Sequence, residues 1–429
     1  MSDEIREGDV IGEDENVEIL EGPVSLTKED IGDILNSVKI NLDDEIDLDV
    51  DLEISDKKET IKKGKEKVEK IVKVTKTKED QVQDLFEEFS EFMDVKVKIT
   101  NDQEAKIIIP TGFDILDAIM GGGFAAGTMA VVAGPPGGGK SCLVSQVVGN
   151  FQKIFPGNLA AVLDSEEATT TQRLYNLGVR NPRLKPYNDI SIEKVFKFLE
   201  GLCLFKEQKK IIDKPSILVW DSIANTLSEK ERECEDVNSV IGFKARMLSL
   251  LIPRYIAKLA KYNILLLTVN QLRDAISMGP YSTPRDLKFL SAHKNMPGGT
   301  VLAYNAFHLL ETKIGGVCKE EKYGFDGYEV KIKCVKNKLF SPNIEVILIG
   351  DFITGFSNLH TNYKFLSDND RLQTGAWNFL RTAPEIKFRT KDVETVYKTN
   401  ENFKKAFDDN VAECIKTVLI DPNTIKEED

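Results

Sequence analysis

The segment TMAVVAGPPGGGKSCLV, residues 128–144, restricts the fold more than any other stretch of this 429-residue chain. An uncharged apolar run passes directly into Gly134–Ser141, which fits G-x-x-x-x-G-K-[ST], and a helix follows. Glycines in such a loop let successive backbone N–H groups curl around phosphate oxygens at the positive end of a helix. Gly134, Pro135, Pro136, Gly137, Gly138 and Gly139 form the cradle, Lys140 reaches the terminal phosphates, Ser141 offers its hydroxyl to Mg²⁺, and Cys142 is the next residue on the helix. A chance glycine-rich turn does not explain the Lys-Ser ending.

An apolar strand of this kind has to be flanked by others, and they are legible. AAVLDSE, PSILVWDS, NILLLTVNQ and IEVILIG are continuous apolar runs separated by helical patterns. That alternation predicts an α/β fold, a mostly parallel sheet covered on both faces, over residues 111–354. Four parts are expected: an acidic then basic, disordered extension over 1–78; an arm of one helix and the short strand KIIIP over 79–110; the core over 111–354; and a small C-terminal domain over 355–429. Within the core, residues 273–297 carry three prolines and no sustained period. A loop of that length in a compact domain is either functional or disordered.

Charge is unevenly placed. The net charge is −13, yet residues 1–60 hold 21 acidic and five basic residues, leaving 49 acidic and 52 basic in the rest. A near-neutral body can therefore carry local basic surfaces despite the acidic whole. The acidic segment has one helical pattern, Ile31, Ile34, Leu35 and Val38 after Thr27–Asp30, followed by EIDLDVDLEI. Residues 61–78, with eight lysines and two glutamates, read as a solvated linker rather than a DNA-binding arm. No stretch approaches a membrane span and the acidic N-terminus lacks a secretory apolar core, so a soluble intracellular protein is expected. Six scattered cysteines without a CxxC pair and three isolated histidines argue against a disulfide framework or a zinc site.

Polar residues at the strand ends carry the candidate chemistry. Asp221 closes ILVWD, where it can hold Mg²⁺ through water or, alternatively, cap a helix, as Ser222 also could. Glu166 lies just past AAVLD and can orient and deprotonate water attacking a γ-phosphate. Asn270, Gln271 and Arg273 end the third strand, directly before the long loop, so an amide sensing the γ-phosphate would be mechanically adjacent to that loop. In KCVKNKLFSP, Lys336 and Lys338 are two apart and on a strand share a face, predicted to be that of Val330, Ile332 and Cys334. A half-buried face ending in paired lysines calls for an anion; a solvated strand end is the bland alternative.

With these residues in order, the chain resembles the RecA-type homologous recombinases. TGFDILDAIMGGG, the phosphate loop, DSEE, ECEDVNSVIGFKARMLS, NQLR, GGTVL and VKNK occur in the family's order between about Thr111 and Phe356. FRTKDVETVYKTNENFKKAF looks more like the tailed-phage branch than the bacterial one. The resemblance implies ATP and Mg²⁺ as cofactors, Glu166 as catalytic carboxylate, Asp221 as the Mg²⁺-linked acid, and Gln271 as γ-phosphate sensor. Arg173 stands where an aromatic residue stacks on adenine in the bacterial pattern, and Thr170 where an acid reads the base edge. Two DNA-binding loops map near 229–243 and 273–297, with Arg246, Arg273, Gly298 and Gly299 as single-strand backbone contacts. Lys336 and Lys338 are expected to reach the γ-phosphate of a neighbouring protomer.

The implied function is a DNA-dependent ATPase that forms filaments on single-stranded DNA and exchanges strands with double-stranded DNA in recombination and repair. Expected partners are further copies of the chain, single-strand-binding and loader proteins, and no membrane; the expected location is the cytoplasm, that of a bacterial host if phage-encoded. The alternatives are a hexameric helicase-type motor and a non-catalytic ATP-binding mediator.

Overall fold

Apolar strands buried on both faces require helices above and below the sheet, and the computed structural model of the chain has that arrangement. It describes residues 106–166, 169–180, 190–234, 242–274, 290 and 294–420, together with the backbone of two N-terminal strands. These strands, β1 (Ser55–Thr60) and β2 (Glu69–Val74), pair antiparallel with Glu59 opposite Lys70. The extension expected to be disordered thus includes a hairpin, whose second strand contains the β-branched residues Ile71, Val72 and Val74. The helical pattern at 31–38, the alternating EIDLDVDL and the arm helix after Glu79 lie outside the described residues.

Residues 104–429 form the second unit. β3 (Ile108–Ile109) pairs with β4 (Phe124–Ala125). The main sheet then draws on β5 (Met129–Gly134), β6 (Ala160–Asp164), β7 (Ser216–Asp221) and β8 (Ile264–Gln271). A small pair, β9 (Arg273–Asp274) and β10 (Lys294–Asn295), stands at the base of the long loop. β11 (His308–Cys318), β12 (Gly327–Asn337), β13 (Ile344–Asp351) and β14 (Gly355–Phe356) complete the sheet in the order β14-β13-β12-β11-β5-β8-β7-β6. From β11 to β6 every pairing is parallel, and from β11 to β14 every pairing is antiparallel. IEVILIG, expected among the parallel strands, is therefore in the antiparallel part. Tight connections after β11 and β12 leave no room for the crossover a parallel pair needs.

The alternation along β5 explains the layering. Ala130 and Val132 face one core with Leu143, Val147 and Phe151 of the helix Lys140–Ile154. Val131 and Ala133 face the other, with Leu199 of the helix Ile192–Lys209 and Leu248 and Ile252 of the helix Phe243–Lys261. β5 lies between β8 and β11, and its C-terminal end is the point where the chain first leaves for the far edge of the sheet, the usual place for a ligand in such folds.

β12 departs from simple alternation near its end. Leu310 pairs with Cys334 but Leu309 pairs with Lys336, so β12 carries one extra residue there, a β-bulge. Val330, Ile332 and Cys334 belong to the core of the helix Lys140–Ile154, whereas Val335 joins the opposite core. Lys336 follows it, donating to the carbonyls of Ala303 (2.9 Å) and Tyr304 (2.7 Å) in the short helix Val301–Asn305. The two lysines thus do not share the face of Val330, Ile332 and Cys334; the bulge turns the strand end over.

Past β14, the helix Asn358–Asp368 leads to a three-stranded antiparallel sheet of β15 (Leu372–Gln373), β16 (Asn378–Leu380) and β17 (Ala383–Phe388). Leu366, Leu380, Phe388, Phe403 and Phe407 form its own apolar cluster, closed by the helix Glu401–Cys414.

Candidate functional site

The phosphate-type loop leaves β5 at Gly134 and enters the helix at Lys140. A Cβ on Gly134 would lie 2.0 Å from the Thr312 hydroxyl oxygen on β11, so only glycine lets the strand end pack there. Gly137 and Gly139 both have positive φ, which turns the loop back to the helix start. Lys140 is 8% exposed, and its ammonium donates to the carbonyl of Pro135 at 2.7 Å, closing the loop. Burial pushes its pKa down, while Asp221 and Glu166 act in the opposite direction.

Three carboxylates converge on this loop. Asp164 and Asp221 end β6 and β7 in register with each other. Asp164 is spent on the backbone, accepting from the N–H groups of Glu166 (2.9 Å) and Thr169 (3.1 Å). Asp221 is 7% exposed, and burial pushes its carboxyl up to about 6. A hydrogen bond from Ser141 lowers it, and the charges of Glu166 and Asp164 raise it further. A hydroxyl beside a carboxylate whose charge is disfavoured is the donor set expected for Mg²⁺ next to a polyphosphate, so Ser141 and Asp221 fit the ion. Glu166 reaches sideways: its Oε1 accepts from Ser222 Oγ (3.1 Å) and Asn225 Nδ2 (2.5 Å).

The loop, Glu166 and Asp221 line a cavity of about 590 Å³, which also takes in Gln271, Arg173, Tyr328 and Phe352. Gln271 stands opposite Gly134 in the sheet register. Arg173 donates through Nη1 to the carbonyls of Phe352 (2.7 Å) and Ile353 (2.6 Å), tying the β13–β14 turn to the cavity rim. The Thr170 hydroxyl accepts from the Arg173 N–H and so caps the helix Thr171–Asn176. The structure thus brings together Gly137–Cys142, Glu166, Arg173, Asp221 and Gln271.

It does not bring Lys336 or Lys338 to that cavity. Val330 is the last residue of β12 that lines the cavity, and Lys336 lies six residues further along the same strand. At about 3.3 Å per residue the separation is roughly 20 Å, about three times the reach of a lysine side chain. Lys338 instead lies with its ammonium 5.8 Å from the centre of the Phe307 ring. Burial lowers the pKa of Lys336, and the positive charge of Lys338 adds to the effect.

A second surface gathers the remaining candidates. Arg246 is exposed on the helix Phe243–Lys261. Gly298 and Gly299 press on that helix: a Cβ on Gly298 would meet Leu248 at 2.8 Å, and one on Gly299 would meet Ala245 at 3.3 Å. Arg273, in β9, is exposed and close enough to Lys244 to lower that lysine's pKa. Asn270, fully buried, donates to the carbonyl of Pro297 at 2.8 Å, so the residue before Gln271 holds the exit of the long loop. The loop itself between 275 and 293, apart from Leu290, and residues 235–241 lie outside the described residues.

Comparison with known proteins decides the family. The model of the RecA N-terminal domain matches residues 79–354. The chain belongs to the RecA family. Protein RecA of Thermus thermophilus is 29% identical over 238 residues, which is 55% of this chain and 64% of the relative. Protein RecA of Mycoplasma mobile is 28% identical over 274 residues, 63% and 76% of the two chains. Protein RecA of Syntrophus aciditrophicus is 27% identical over 308 residues, 66% and 82%. The chain spans slightly less than two thirds of the Thermus relative's length. The RecA-family match covers the phosphate loop, all three strand-end carboxylates, Gln271, Lys336 and Lys338, and ends just before β14.

Several residues of the site were not singled out in the sequence. Asn225, Tyr328 and Phe352 come from segments without a motif, and Asp164 is masked by the neighbouring Glu166. Asp164 had a usable signal, since it ends an apolar strand just as Asp221 does.

Proposed function

We propose that this chain is a DNA-dependent ATPase that polymerises on single-stranded DNA and carries out homologous pairing and strand exchange in recombination and repair. The observation that carries the reading is the roughly 20 Å of β12 between the cavity at Val330 and the paired lysines at and just past the far end of the strand. Two lysines that cannot reach their own phosphate loop can reach one held by another copy, and repetition of that contact builds a filament. Lys336 and Lys338 then act on the neighbour's γ-phosphate as arginine fingers do elsewhere.

Within one chain, Lys140 and the loop amides hold the phosphates, Arg173 stacks on the base, and Glu166 orients and deprotonates the attacking water. Mg²⁺, held by Ser141 and Asp221, neutralises phosphate charge when bound. Gln271 senses the γ-phosphate, and the bond from Asn270 to Pro297 supports its coupling to the long loop. Arg246 and Arg273 bind the DNA backbone through their guanidinium forks, with Gly298 and Gly299 allowing its close approach. An arm over 79–110 packing on the next protomer, a separate C-terminal domain over 355–429, the tailed-phage branch with its place in a bacterial host's cytoplasm, and single-strand-binding and loader partners belong to the same proposal. Among the described residues no helix is long and apolar enough to cross a membrane.

ATP hydrolysis with and without single-stranded DNA, paired with negative-stain imaging, tests this reading. Stimulated hydrolysis together with filaments is the expected outcome. Closed hexameric rings with 5′–3′ unwinding would point to the helicase-type motor, and undiminished DNA pairing by Lys140→Ala to the mediator.

A further inference from the structure

The turn after β7 is built more firmly than a connecting loop requires. Trp220, fully buried, donates through Nε1 to Thr226 Oγ1 at 2.8 Å, and that hydroxyl donates to the carbonyl of Ser222 at 2.8 Å. The backbone N–H of Thr226 closes on the same carbonyl at 3.2 Å. Ser165 Oγ and the Ser222 N–H meet at 2.9 Å, joining the turn to the end of β6. From the other side Lys244, in the first turn of the helix Phe243–Lys261, donates to the carbonyls of Ala224 (3.0 Å) and Ile223 (3.3 Å). Residue 225 is therefore presented from a fixed platform, and its exposed side chain is an amide that binds the Glu166 carboxylate at 2.5 Å.

We propose that Asn225 is a positioning residue for the Glu166 carboxylate, and that Lys244 sets its placement from the base of the 229–243 segment. The inference rests on the hydrolytic role given to Glu166 above. A glutamate beyond a strand end has several rotamers available, and a catalytic carboxylate needs one. Two donors on Oε1, Ser222 Oγ and Asn225 Nδ2, fix the side chain and leave Oε2 for the water. Lys244 also lies within the electrostatic reach of Arg273, at the start of the long loop. The platform under Asn225 is thus the place where the base of the 229–243 segment and the Glu166 carboxylate meet.

Steady-state ATP hydrolysis by the full chain with single-stranded DNA tests this. Asn225→Ala is expected to lower kcat about tenfold or more while KM for ATP and the thermal midpoint stay at wild-type values, since the residue is exposed and touches no phosphate. Asn225→Asp should fall at least as far, because a carboxylate cannot donate and repels Glu166. Asn225→Gln, which keeps the amide donor, should recover part of the loss. Lys244→Met should lower kcat in the same direction, and the double variant Asn225→Ala with Lys244→Met should lose no more than the worse single change, the non-additivity of groups acting through one contact. Wild-type kcat in Asn225→Ala, or a fall matched by an equal fall in thermal midpoint, overturns the proposal. Absence of hydrolysis by the unaltered chain would overturn the parent reading first, and this one with it.

Discussion

Two lysines at opposite ends of one sheet, one buried and one half-buried, make an instructive pair. Lys140 is depressed by burial, but Asp221 and Glu166 offset part of the penalty, and its ammonium closes the loop that carries it. Lys336 is also depressed by burial, but the nearby charge that acts on it is that of a second lysine, and its ammonium rests on helix carbonyls. The first environment is balanced within the chain; the second has like charges held together, which an arriving anion relieves. The surroundings, more than the residue type, set the two apart: one lysine faces carboxylates, the other a second lysine.

Removing the balanced lysine should have the largest effect: Lys140→Ala is expected to reduce ATP binding and hydrolysis by at least about a hundredfold, measured by nucleotide titration and turnover. Lys336→Ala and Lys338→Ala should lose most DNA-stimulated hydrolysis, about tenfold or more, while ATP affinity measured without DNA stays within about twofold. Equal losses of affinity in both sets would erase the contrast.

Asp221→Asn sharpens it from the side of stability. Burial holds the carboxyl at about 6 in the fold, against about 3.8 for an ordinary aspartate. Between those pH values the folded chain retains a proton that the unfolded chain has released, so this group's contribution falls as pH rises and is lost above about 6. At pH 7.5 and without nucleotide, Asp221→Asn should therefore unfold at a higher temperature, a gain of about 2 kcal/mol, while losing Mg²⁺-dependent hydrolysis. An unchanged or lower midpoint would show that the charged acid is accommodated at no cost. The smallest effect belongs to the surface: Arg246→Ala should weaken single-strand binding several-fold across all sequences and reduce the salt slope by about one, measured by titration at several salt concentrations.

Legibility in the sequence followed the range of the interactions involved. The phosphate loop and the apolar strands were readable because local rules, glycine freedom and continuous burial, fix them, and Asp221 and Gln271 fall where strand ends must fall. The face of Lys336 was misread because counting by twos assumes an unbroken strand, whereas the extra residue near Val335 is set by the partner strand at Leu309–Leu310. The antiparallel setting of β13 was likewise decided by short connections rather than by its own apolar run. Asn225 was invisible because its role exists only once β6 and β7 lie side by side, 59 residues apart in the chain from Glu166. The hairpin at 55–74 was hidden by lysine content, which says more about solvation than about pairing.

The bulge in β12 also makes the far end of the strand a matter of parity. Val330 and Lys336 are an even number of residues apart, which on an unbroken strand means one side, and a single inserted residue converts that even count to an odd one. Deleting Val335 would leave the cavity wall at Tyr328 and Val330 where it is, yet turn both lysines into the opposite layer. One peptide unit thus decides which layer of the fold the end of β12 turns to.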